Sequence, residues 1–394
     1  MNDSTQADPS GHLGNTEVTS ASLVRGSETA VWPLMRWLWN HSSLDGLSKC
    51  HRVRYGPNVE VFVSEDGRVY FGGYCRCHSV WSCPMCATVI RAARASEMGG
   101  GLRLLLADGG GCIFSTYTLP HGQWDSLLDL FDAVAKAWKL VQDDRTVKAF
   151  RKAHGLEFSR STEVTFGDNG PHPHLHVGEV CSVPLTRDEV LEYRAACFSA
   201  WCRAVVSMGL RPPSDRYGLT MVRADAGMAD YSHKVEGLAS ELFRMDRKTG
   251  KTRAPFEVLR LAVAGDVRAA AIWRDYEQVT RGRRMLGQSR GFKRVCRYDE
   301  AAEADLLDPS KQSGLVLAGT LRPDLSHLLT YHPAGFEGFA EMVGPGTPEA
   351  WQSACYWLTG TAPLYLSAAG WAVMAAELTA QPEYLPDSIE MELF

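Results

Sequence analysis

Seven residues, Pro171-His172-Pro173-His174-Leu175-His176-Val177, restrict this chain more than any others. Side chains two apart in an extended strand project from one face. The run therefore predicts a strand offering His174 and His176 to a single cation, with Leu175 and Val177 turned toward a core. His172 shares that face if the strand begins early enough, and Pro173 fits only near a strand start or an edge. A lone histidine is usually structural, whereas three alternating with apolar residues point to metal ligation.

A chain of 394 residues with 45% hydrophobic content has room for about two or three domains around ordinary cores. Residues 1–28 are rich in Ser, Thr, Gly, Asn and Asp, lack apolar periodicity and carry no basic segment followed by an apolar one, so a disordered tail without a secretion signal is expected. The longest nearly apolar stretch, Ala362 to Ala376, is too short to span a bilayer and contains Pro, Ser and Gly. A cytoplasmic protein without membrane contact is expected. In that reducing setting the eleven cysteines stay free of disulfides, and some are expected to bind metal.

The net charge of −5 gives no overall attraction to nucleic acid. A local patch does: Arg281, Arg283, Arg284, Arg290, Lys293, Arg294 and Arg297 fall in a stretch without a carboxylate and suit phosphate contacts, the alternative being a solvated surface. Cys83-Pro-Met-Cys86 is a knuckle whose thiolates can share a tetrahedral zinc. Cys77 is the nearer further ligand, and Cys50 or Cys75, with His78 as another choice, completes the shell. The helix-like run Val89 to Met98 then places Arg91 and Arg94 on one face, toward phosphate or solvent.

Cys112 to Leu119 alternates and reads as a strand. Trp124, Leu127, Leu128, Phe131, Val134, Ala135 and Trp138 recur at helical spacing and predict a core-facing helix. Ser161 to Phe166 predicts another strand with Glu163 and Thr165 on one face, and Gly167-Asp168-Asn169-Gly170 turns it into the histidine strand. Thr186 and Glu189 form a capping box for a second helix along Val190, Cys197, Trp201 and Val205. Asp225 is the expected N-cap of a helix over Ala226 to Phe243, with Tyr231 and Lys234 on one face.

Two imidazoles and a carboxylate can hold a divalent ion that polarises a phosphodiester, and a helix-borne tyrosine can attack it. At these residues the chain resembles the HUH endonucleases, specifically the replication initiators of rolling-circle plasmids in Gram-positive bacteria and actinomycetes. Phe114-Ser-Thr-Tyr-Thr118 is similar to their first motif, Pro171 to Val177 to the second, and Tyr231-Ser-His-Lys234 to the third. Cys77 to Cys86 with Cys50 resembles the cysteine-rich segment of actinomycete members, and Thr280 to Arg290 their downstream basic segment. The likeness spans about residues 45 to 300.

The resemblance implies an α+β fold: an antiparallel nuclease sheet with helices on one face, preceded by a cysteine-rich zinc module. The expected divisions are a tail at 1–28, a zinc-binding module and basic helix at 29–100, a nuclease domain at 101–300, and a mostly helical region of unassigned role at 301–394. It implies site-specific nicking of single-stranded origin DNA and strand transfer through a 5′-phosphotyrosine, with Tyr231 as nucleophile and Lys234 stabilising charge. His174 and His176 hold Mg²⁺ or Mn²⁺, with Glu163 preferred over His172 as third ligand because hard cations favour oxygen. Cys50, Cys77, Cys83 and Cys86 form the implied zinc set, and Arg91, Arg94, Arg281, Arg283, Arg284, Arg290 and Lys293 the DNA contacts. Origin DNA, a host helicase and the replication machinery are the implied partners. A transposase-like strand transferase and an inactive zinc-containing DNA-binding protein are the alternatives. Gly227 stands where members often carry a glutamate that activates the terminating water, and His78 where a glycine is usual.

Overall fold

The computed structural model describes residues 31–224 and 252–361. Helix α1 (Trp32–His41) leads through the first cysteine to a short hairpin, β1 (Val59–Ser64) and β2 (Val69–Phe71), and then to the long α2 (Pro84–Ala107). The expected strand follows as β3 (Gly111–Thr118), then α3 (Leu127–Asp143), α4 (Arg145–His154), β4 (Glu157–Gly167), β5 (Gly170–Cys181), α5 (Arg187–Ser207) and β6 (Leu219–Ala224). Beyond the gap come α6 (Pro255–Val263), α7 (Val267–Thr280), β7 (Leu286–Gln288), α8 (Phe292–Cys296), β8 (Leu315–Leu321), α9 (Pro323–Tyr331), α10 (Gly335–Val343) and α11 (Pro348–Thr361).

Local chemistry sets several of these limits. Ser126 accepts the Asp129 amide at the start of α3, and Asp144 accepts the Thr146 and Val147 amides to begin α4. Gly155 closes α4 at φ 61°, a left-handed position that glycine adopts without strain. The Thr186–Glu189 capping box opens α5 as expected.

The fold is α+β with antiparallel sheets. Five strands run in the order β6-β3-β5-β4-β7 and three in the order β2-β1-β8. β5 is central, which accounts for burial of both its faces from Pro173 onward. Pro171 and Pro173 precede His174, where β3 begins to pair, so they remove no ladder bond to β3.

One face of the larger sheet carries Ile113, Tyr117, Leu175 and Val177 against α3, α4 and α5 in a single core. Large side chains buried there, such as Tyr193 and Trp201, each contribute about 1.5–3 kcal/mol through removal from water. On the opposite face Cys112, Phe114 and Val180 meet Met98, Leu102, Leu105 and Leu106 of α2 with Phe292 and Cys296 of α8. Helices thus cover one face broadly and also one end of the other, an addition to the one-sided cover expected from sequence.

Two further expectations change. β8 pairs with β1 from Val59↔Leu321 to Ser64↔Leu315, and α9, α10 and α11 share the core of the cysteine-bearing segment. Among the described residues, β8, α9, α10 and α11 therefore pack with the N-terminal segment. Trp124 lies ahead of α3 and is 90% exposed, not part of that helix's core face.

Candidate functional site

The two-residue turn Asp168-Asn169 sets the hairpin register from Gly167↔Gly170 inward, so Glu163 falls directly opposite His174 and Ser161 opposite His176. Thr118 and Thr116 of β3 oppose the same two histidines from the other side. Glu163, His174 and His176 are consequently gathered on one face, exposed by only 4%, 3% and 8%. A single carboxylate oxygen, Glu163 Oε2, lies 2.9 Å from His174 Nε2 and 2.8 Å from His176 Nε2. Separations of about 3 Å are those of neighbouring donors around a divalent ion bonded at roughly 2.1 Å in octahedral geometry.

The outer partners favour the same use. His174 Nδ1 faces the His172 carbonyl at 3.1 Å, and His176 Nδ1 faces Thr116 Oγ1 at 3.2 Å. A proton on each Nδ1 leaves the Nε2 lone pairs directed at the shared point, the tautomer that metal-ligating histidines adopt. Phe114 stacks on His176 with ring centroids 5.7 Å apart and limits its rotation. The three groups can hold a metal ion. His172 lies outside that cluster: its ring stacks on His121 at 4.4 Å. Tyr231 and Lys234, with Asp225 and Gly227, lie outside the described residues.

The second gathering is made of sulfur. Cys50 Sγ lies 3.7 Å from Cys83 Sγ and 3.6 Å from Cys86 Sγ, and Cys77 Sγ lies 3.9 Å from Cys86 Sγ. Four sulfurs bonded to one tetrahedral zinc at about 2.3 Å stand about 3.8 Å apart, so the donor set fits that ion. Burial holds the Cys83 thiol well above its usual range, while hydrogen bonds from Cys50, Cys77 and Cys83 hold Cys86 well below. One thiolate is thus stabilised by its neighbours. Cys83 also caps α2 through its sulfur, and the Cys50 carbonyl accepts from Trp39 Nε1 at 2.8 Å. Cys75 is absent from the cluster, its backbone pairing with His51 and Val53, and the His78 ring faces Glu303 at 3.6 Å.

The expected DNA-facing arginines divide. Arg91 is 5% exposed, donates to the Val80 carbonyl and lies over the Phe256 ring, so its charge is used inside the protein and not presented to phosphate. Arg94 is largely covered, pairing with Glu97 and donating to the Ala301 carbonyl. Helical spacing put both on one face but could not show that the chain beyond residue 250 covers it. Arg281, Arg284 and Arg290 are exposed beside the sheet edge at β7, whereas Arg283 pairs with Asp132 and Lys293 with Glu300. Sequence reading also missed Thr116, whose place beside His176 depends on strand register.

No helix among the described residues is long and apolar enough to cross a membrane. No protein-family model and no solved structure matches the chain. The chain is similar to the curated Protein rep of Streptomyces lividans, with 29% identity over 60% of this chain and 67% of that protein, a likeness that supports a Rep-type protein.

Proposed function

We propose that this protein initiates rolling-circle replication of a plasmid by nicking one strand at the origin and transferring it through a covalent tyrosine intermediate. The convergence of Glu163, His174 and His176 on adjacent antiparallel strands carries this reading, and the likeness to a Rep protein supports the replication role. A divalent ion such as Mg²⁺ or Mn²⁺, when bound there, supplies polarisation of the scissile phosphodiester. Glu163, His174 and His176 hold the phosphate-facing position, with Thr116 and the His172 carbonyl fixing the imidazole orientations. The phenolic oxygen of Tyr231 bonds to phosphorus as the bond to the 3′-oxygen breaks, leaving a 3′-hydroxyl primer and a 5′-phosphotyrosine. Lys234 stabilises phenolate or transferring-phosphoryl charge.

Cys50, Cys77, Cys83 and Cys86 bind a structural zinc in this reading. Exposed Arg281, Arg284 and Arg290 contact origin DNA, a host helicase joins at the nicked origin, and the protein acts in the cytoplasm. The test is incubation with supercoiled plasmid carrying the cognate origin, followed by mapping of the covalent adduct. Tyr231→Phe should retain origin binding and lose both nicking and adduct. An adduct on a different tyrosine, or nicking that persists in this variant, overturns the assignment.

A further inference from the structure

We propose that Trp124 and Tyr217 form a two-point stacking surface for unpaired bases of the single strand entering the Glu163–His174–His176 site. The inference rests on the nicking activity proposed above. Trp124 is 90% exposed and Tyr217 64% exposed. Isolated surface aromatics are common, so exposure alone decides nothing. What distinguishes these two is that each is held on a fixed turn at the histidine end of the sheet.

Trp124 sits in a closed turn. The Asp125 amide donates to the Gly122 carbonyl at 3.1 Å, and Asp125 Oδ2 accepts the Gly122 amide at 2.7 Å. The turn is anchored by buried Leu119 before it and Leu127 after it. Gly170, at φ 85°, packs so closely on it that a Cβ there would lie 2.9 Å from the Gly122 carbonyl oxygen, which ties the loop to the hairpin of the histidine strand. From this loop a ladder of imidazoles leads inward: His121 stacks on His172 at 4.4 Å, and His172 lies 5.0 Å from His174. Trp124 follows His121 by three positions, a span of at most about 11 Å.

Tyr217 is fixed beside the same end of β3 through its backbone. Its carbonyl accepts the hydroxyl of Thr118, the residue directly opposite His174. The Arg216 guanidinium lies over its ring at 5.1 Å, adding a cation at the surface where a strand would pass. Beside Trp124 stands the Asp125 carboxyl group, which accepts the Gly122 amide, so this side of the loop suits a base plane better than a phosphate. Flat aromatic faces with one nearby cation, next to the Glu163–His174–His176 site, match unpaired nucleotides, whose bases stack on any such face without regard to sequence.

Binding of a fluorescein-labelled single-stranded oligothymidylate, followed by anisotropy without added divalent ion, tests this apart from nicking. Trp124→Ala and Tyr217→Ala should each weaken binding roughly tenfold, leave the salt slope unchanged, and make no difference toward an abasic strand of equal length. Trp124→Phe should recover most of the loss, and Tyr356→Ala, exposed on α11, should match the wild type. Equal affinities in wild type and both alanine variants, or an equal loss on the abasic strand, overturn the proposal. So does sedimentation showing that Trp124→Ala instead abolishes self-association. A wild-type protein that forms the tyrosine adduct while the variants bind normally removes only this inference; one that neither binds the strand nor forms the adduct removes the proposed function with it.

Discussion

Glu163 Oε2 stands within hydrogen-bond reach of two imidazole nitrogens at once, a placement that is favourable only when a proton or a cation occupies the shared point. Glu163→Ala should therefore lower Mn²⁺ affinity by more than tenfold in calorimetric titration, whereas His172→Ala, which changes a ring stacked on His121, should leave it within about twofold. Equal losses in the two variants would return His172 to the ligand set. The histidine pair was legible in sequence because a period of two survives in any strand. Thr116 was not, since its position beside His176 depends on which residue of β3 meets which residue of β5. Arg91 was misread for a related reason: a helical pattern reports a face, while the neighbours that cover it arrive from distant sequence.

The hairpin β4–β5 divides its chemistry between two surfaces. On the side away from Glu163, Glu179 is fully buried and accepts from Arg151 Nη2 at 2.6 Å and Tyr193 Oη at 2.5 Å. The Arg151 guanidinium also lies near the faces of Trp138, Phe158 and Tyr193. Arg151→Met leaves Glu179 uncompensated in the core and should cost about 3–5 kcal/mol in urea unfolding. Mn²⁺ affinity of the folded variant should stay unchanged, because the ion pair and the triad occupy opposite faces of the β4–β5 hairpin; a matching fall in affinity would show that the two faces are coupled. Capping residues and turns made α5 and the hairpin readable in advance. The helical period reaches back too far after β3 because Trp124 falls on it by coincidence, two residues before the Ser126 cap that marks the true start.

Across the molecule, the four cysteines and β8 belong to one unit although most of the larger sheet lies between them in sequence. Chelation of zinc, or Cys83→Ser, should therefore release hydrogen-exchange protection in Leu315–Leu321 together with Val59–Ser64, while amides of β3 and β5 remain protected. Protection lost in β1 alone would contradict the shared unit. Sequence gave little notice of this pairing. Leu315-Val-Leu-Ala-Gly-Thr-Leu321 is short and half exposed, and strand partners so far apart leave no local signal. The β1–β8 ladder also imposes an order on biosynthesis. At roughly 5–20 residues per second, tens of seconds pass between translation of β1 and of β8. During that interval the nascent chain carries an open β1 edge on the ribosome, unpaired on that side until the last strand of its sheet emerges.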